Sequence, residues 1–160
     1  MATMIDGESY LGHVLIRPLS QAGDLRLYLW PLRCLKSQMG GPTFGIDIKG
    51  EEIVRFDAHG PRGHWHKGGY DTLGAGGSHQ DFPAGVVETA SQLAWSLGHL
   101  RAHAQELLVE AGCPAAAAAL DPALLAAALE PRPVQRPEVG PVRKLPEVGG
   151  LHHHYERMAA

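Results

Sequence analysis

The chain has 160 residues, 44% of them hydrophobic, with 17 acidic side chains against 14 lysines and arginines, and ten histidines. That length suits one compact domain with an appendage, and a formal charge of −3 with pI near 6.3 gives no electrostatic footprint for binding long nucleic acid. No apolar run approaches a membrane span, and the opening MATMIDGESYLGH lacks the basic start and apolar stretch of a signal peptide, so the expectation is a cytoplasmic protein with no membrane partner.

Residues 1–9 are polar and read as frayed. Tyr10 to Arg17 is rich in β-formers and stops at Pro18, which cannot donate to a sheet ladder. Residues 20–24 read as a turn. Leu25 to Trp30 alternates strictly, placing Leu25, Leu27 and Leu29 on one face of a half-buried strand that Pro31 should end. Residues 31–42 show no clear period, and Leu32 with Leu35 suits a single helical turn. Thr43–Ile48 and Glu52–Asp57 form the best hairpin, with Lys49-Gly50-Glu51 supplying the glycine a tight turn needs.

From Val86 the period changes. Val86, Ala90, Leu93, Leu97, Leu100, Ala104, Leu107 and Ala111 make one apolar stripe along a helix stopped by Gly112 at C′. Gln92, Ser96, His99 and His103 fall on a polar stripe beside it. The predicted architecture is α+β over residues 1–112: an antiparallel meander of about four strands covered by one long C-terminal helix. That helix could also be a dimer seam. Residues 113–130 read as an alanine-rich helical segment, with Asp121-Pro122 as N-cap and N1. Residues 131–160 read as a proline-rich flexible tail, with the terminal His152-His153-His154-Tyr155 as a candidate docking peptide for a protein partner or an incidental metal binder. Cys34 and Cys113 read as free thiols in a reducing compartment.

The chemistry concentrates in Glu52–Pro83, a stretch predicted to become a glycine-rich loop over 58–83. It holds His59, His64, His66 and His79, Asp57, Asp71 and Asp81, and Arg55, Arg62 and Lys67. On extended chain His64 and His66 point one way and Trp65 the other. Two pre-aligned imidazoles open a metal site for one divalent transition metal such as zinc, with His59, His79 and the three aspartates as further ligand candidates. The same two histidines could instead work as base and acid in metal-independent RNA cleavage. Arg55, Arg62 and Lys67 would then face phosphate, and Trp65 or Tyr70 would stack on an unpaired base. A third reading is structural, since aspartate and glycine also serve turns. His99 and His103 would complete the site if their stripe faced the loop. No phosphate-binding loop, GxSxG elbow or HExxH occurs.

A strand ending Arg55-Phe56-Asp57, followed by His64-Trp65-His66-Lys67, resembles small bacterial TumE-type toxin proteins over residues 43–70. That resemblance implies a toxin–antitoxin component acting on RNA or translation, a small DNA-binding antitoxin as partner, and Arg55, Asp57, His64, His66 and Lys67 as active positions. The glycine-rich 68–78 and the alanine/proline tail depart from the family pattern. The leading expectation is a toxin-like, His-dependent ribonuclease. The alternative is a metal-binding or protein-interaction module.

Overall fold

A computed structural model of the chain describes residues 8–11, 14–35, 39–130, 142–146 and 153–157. The described residues up to 130 form one unit, and those from 131 onward belong to a second. The first is α+β, an antiparallel sheet with a long helix on one face, as the alternation of Leu25 to Trp30 and the stripe after Val86 predict. The meander has more strands than four: β1 (Glu8–Leu11), β2 (Leu15–Pro18), β3 (Leu25–Leu35), β4 (Met39–Ile48), β5 (Glu51–Asp57), β6 (His64–Lys67) and β7 (His79–Gln80). β1 and β2 both pair with β3, opposite its two halves, and the order then runs β3-β4-β5-β6-β7.

Two expectations about this sheet fail for physical reasons. Pro31 does not end its strand. The β3–β4 register shifts between Trp30 and Arg33, and this irregularity accommodates the missing donor, so 31–35 remain in the sheet instead of forming a helical turn. Nor is 58–83 a long loop. It contains a 3₁₀ turn at Gly60–Arg62, then β6, the helix α1 (Tyr70–Ser78, kinked at Gly74) and β7. The β4–β5 hairpin forms around Lys49 and Gly50, both at positive φ, the conformation that a two-residue turn needs to match strand twist.

One sheet face is the core. Leu25, Leu27, Phe44, Ile46, Val54, Phe56 and Trp65 are buried there, with Phe56 stacked between Phe44 and Trp65 at ring separations of 5.4 and 5.5 Å. The covering helix α2 (Thr89–Glu110) starts after Val86, inside the predicted stripe. Its fully buried line is Gln92, Ser96, Leu100, Ala104, Leu107 and Leu108, so two residues assigned to a polar flank lie in the interior. Gln92 is buried because its amide clamps the backbone of Gly60, accepting from its N–H at 3.0 Å and donating to its carbonyl at 2.7 Å. The helix closes as a Schellman motif: Gly112 N–H reaches Val109 O, and Cys113 N–H reaches Leu108 O. Helices α3 (Pro114–Ala119) and α4 (Pro122–Leu129) add Ala117, Leu125 and Leu129 to the core, and Asp121 caps α4 by accepting from Ala123 and Leu124.

In the second unit, β8 (Val142–Pro146) pairs antiparallel with β9 (His153–Arg157), so part of the predicted flexible tail is a two-stranded ladder that includes His153, His154 and Tyr155. His152 lies outside the described residues. Among the described residues no helix is long and apolar enough to cross a membrane.

Candidate metal centre

The opposite sheet face carries the chemistry, and strand register builds it. One cross-strand row runs Trp30, Thr43, Asp57, His64, and the neighbouring row runs Tyr28, Gly45, Arg55, His66, His79. Because the side-chain period is two, all these residues share one face, while Phe44, Phe56 and Trp65 share the other. Gly45 is a requirement of this row. A Cβ there would lie 1.9 Å from Val54 O and 2.9 Å from the Tyr28 hydroxyl, closing the path by which Tyr28 reaches Glu52.

Asp57 is the hub, with 3% of its surface exposed. Its Oδ1 accepts from Thr43 Oγ1 at 2.7 Å and from Arg33 at 3.4 Å, and its Oδ2 accepts from Arg55 Nε at 2.9 Å. Burial pushes the carboxyl pKa up, but Arg55, Arg33, His59 and the Thr43 hydrogen bond outweigh it and hold it at about 2. Asp57 is therefore a permanent anion at neutral pH.

Two imidazoles converge on that anion. His64 Nε2 and His66 Nε2 lie 3.6 and 3.7 Å from Asp57 Oδ2. Hydrogen-bond polarity decides what those nitrogens carry. The single proton of Ser78 Oγ goes to Gly74 O at 2.7 Å, so Ser78 Oγ must accept from His66 Nδ1, 2.8 Å away. His64 Nδ1 lies 3.1 Å from the Arg62 carbonyl, which can only accept. In its neutral form each ring thus holds its proton on Nδ1 and turns Nε2 toward Asp57. Burial first, then Arg55, lowers the His66 pKa to about 3 and keeps it neutral. Its Nε2 is buried and has no hydrogen-bond partner. Asp57 Oδ2, which also accepts from Arg55 Nε, and the two Nε2 atoms thus face one another. Asp57, His64 and His66 lie close enough together to hold one metal ion, with ligand atoms within 4.8 Å of one another.

The other candidates fall elsewhere. His59 is buried, but its Nε2 donates to Thr43 Oγ1 at 3.0 Å, since the Thr43 proton is given to Asp57. It supports the hub from behind and is not a ligand, and burial lowers its pKa. His79 stacks on His64 at 4.7 Å, with Nε2 3.1 Å from the exposed Asp81 carboxylate. It screens the centre without entering it. The Asp71 side chain lies outside the described residues. Trp65, expected to stack on a base, is committed to the core between Phe56 and Trp95. Lys67 shares the Trp65 face and pairs with Glu110 of α2, so it does not line this centre. Arg62 is exposed on the 3₁₀ turn, where its carbonyl orients His64. Tyr70 packs its ring under Arg55, 4.6 Å from the guanidinium carbon, and edge-on to His66. His99 stacks on Trp95 at 4.5 Å and abuts Trp65, on the far side of the sheet from His64 and His66, so it does not complete the site. His103 bonds Glu106 on the exposed side of α2.

The sequence reading missed the supporting residues. Arg33, Thr43, Ser78 and the buried pair Tyr28–Glu52, which braces Arg55, all reach the hub or its immediate partners. Only register could have revealed them. The chain matches no family model, no characterised protein and no solved structure.

Proposed function

We propose that this chain is a mononuclear metalloprotein in which Asp57, His64 and His66 bind one divalent transition metal such as zinc, and that the centre is hydrolytic. The observation that carries the reading is the convergence of two Nε2 atoms and one ionised carboxylate oxygen, all within 4.8 Å of one another. In general, metal-bound histidines donate their second ring nitrogen to a carbonyl, carboxylate or water, which fixes the tautomer. Arg62 O and Ser78 Oγ serve His64 and His66 in that way. Two imidazoles and a carboxylate suit zinc or ferrous iron, and three protein ligands leave a position open for water, as catalytic zinc sites require.

The metal-independent ribonuclease reading asks for one protonated and one neutral imidazole near neutrality. His66, with a pKa near 3, would fill only the neutral role there. Phosphodiesters remain a substrate class for the metal-loaded centre, and the chain's own residues would then act as ligands and braces instead of as acid and base.

Untagged protein should carry close to one equivalent of metal per chain. His64→Ala with His66→Ala should remove it, and deletion of 150–160 should leave it in place. Metal lost on deleting the tail but retained in the double variant would assign binding to the terminal histidines and end this reading.

A further inference from the structure

Some part of the chain has to move before this centre can be reached. Asp57 and His66 are buried, the His66 Nε2 atom is closed to solvent, and of the three ligand side chains only His64, 22% exposed, reaches the surface. Three side chains pack on the two imidazoles. Tyr70 lies edge-on to His66 at 5.2 Å, Ser78 Oγ is 2.8 Å from His66 Nδ1, and His79 stacks on His64 at 4.7 Å. All three come from one continuous segment, residues 68–80.

That segment is fixed at its ends and lightly held between them. At its start Gly68 N–H donates to Ile53 O at 3.0 Å, and Gly68 and Gly69 both stand at positive φ. A Cβ at Gly69 would lie 2.7 Å from Glu52 O, so glycine is what lets the chain turn off β6 here. At its end Trp65 Nε1 donates to Asp81 O at 3.3 Å, and Phe82 packs edge-on against Trp95 at 5.5 Å. In between, β7 adds a ladder of only two residues, and α1 has no side-chain cap at its start and breaks at Gly74. Leu73, the large aliphatic residue of α1, is 50% exposed. What ties α1 to the sheet is Tyr70 on Arg55, Ser78 on His66 and an exposed Thr72–Glu51 bond of 3.4 Å. A short ladder and few buried apolar contacts mark a segment that opens at far lower cost than the sheet beneath it.

We propose that residues 68–80 are a hinged cover that opens about Gly68-Gly69, with loss of α1 and β7, while β6 stays in the sheet. Its opening gates the passage of metal and substrate to Asp57 and His66. The gating rests on the metal reading above and adds how the centre is reached and closed. The closed cover keeps bulk water from the ligand atoms, and the open one admits what binds there. An ion held in the closed state and exchanged only through the open one makes a kinetic signature. Any change in the opening equilibrium multiplies the uptake and release rates by the same factor and leaves the affinity as it was.

The test uses the full chain, with the His64→Ala, His66→Ala double variant as the blank for Zn(II) held by the terminal histidines. In the metal-free protein the amides of 70–78 should exchange with deuterium at least about ten-fold faster than those of β4 and β5, and one equivalent of Zn(II) should slow them. A Cβ at Gly76 would meet nothing within 4 Å, so Gly76→Ala stiffens the cover without a clash. It should slow exchange over 70–78 by about two- to five-fold. Tyr70→Ala removes the clasp on Arg55 and should speed that exchange by at least about two-fold. Stopped-flow uptake of Zn(II), and its release to EDTA, should change by the same factors in each variant at constant Kd. Exchange over 70–78 no faster than in β4 and β5 overturns the cover. Uptake rates that stay at the wild-type value in both variants, or a Kd that moves as far as the rates, overturn the gating and leave the metal reading standing. Local opening in a chain that takes up no Zn(II) beyond the blank overturns the metal reading and the gating together.

Discussion

Ser78 sets the state of His66. Its hydroxyl proton is given to Gly74 O, so the oxygen can only accept from His66 Nδ1, and the ring must show its Nε2 lone pair to Asp57. Ser78→Ala removes that constraint without touching a ligand atom. Losing an outer hydrogen bond of this kind typically costs about 10- to 100-fold in metal affinity. We expect that loss in a chelator competition with Ser78→Ala, at unchanged stoichiometry. Wild-type affinity in the variant would mean the tautomer is set by something else.

Gln92 links the core helix to the site. Its amide satisfies both backbone groups of Gly60, the residue after His59 and two before Arg62, whose carbonyl orients His64. Gln92→Leu would keep the volume roughly constant but leave a buried N–H and a buried C=O without partners. Each unsatisfied group costs about 1–3 kcal/mol. Urea unfolding should show a loss in that range or up to about twice it, and metal affinity should fall with it. Destabilisation below about 0.5 kcal/mol would show that water takes over the clamp.

How far the sequence disclosed this arrangement follows from what each signal depends on. The alternation of Leu25 to Trp30 and of His64-Trp65-His66 is local geometry, so the sidedness of both strands was legible. Lys49-Gly50 and Gly112 were legible because positive φ marks turn and cap positions. Arg33 was not, because Pro31 reads as a strand end unless the bulge beside it is known, and the bulge is a property of pairing with β4. The α1 segment contains three glycines among nine residues, a composition that disfavours helix. It is held by tertiary contacts instead, Tyr70 against Arg55 and Ser78 against His66. Gln92 reads as a surface residue by polarity and is interior because of one backbone partner 32 positions away.

Lys67 tests whether sidedness governs the site. It follows His66 directly, yet pairs with Glu110 on the helix face of the sheet, and both side chains are more than a third exposed. Exposed pairs contribute about 0–1 kcal/mol. Lys67→Ala should therefore shift the urea midpoint only slightly and leave metal content as in the wild type. A variant that folds but loses its metal would place Lys67 at the centre and contradict the strand register.

Acid should destabilise the metal-free protein in a window set by buried histidines. Burial, then Arg55, lowers the folded pKa of His66 to about 3, against 6.5 for the ordinary group, and burial also lowers those of His59 and His99. A group with a depressed folded pKa binds its proton preferentially in the unfolded chain. Stability is then full above pH 6.5 and falls as pH drops through the interval down to about 3. Asp57 has the same sign but a lower window, because its folded value of about 2 lies under the ordinary 3.8, so its contribution is lost only in stronger acid. The histidine effect should thus stand apart at moderate pH. Between pH 5.5 and 4.5, each histidine that stays neutral in the fold should cost about 1.4 kcal/mol per pH unit. Urea unfolding of metal-free wild type and His66→Gln across that interval isolates the His66 share as the difference in slope. The variant should lose less stability on acidification, even if it starts lower. Equal slopes would show that His66 takes up its proton in the folded state, and its role as a permanently neutral ligand would have to be given up.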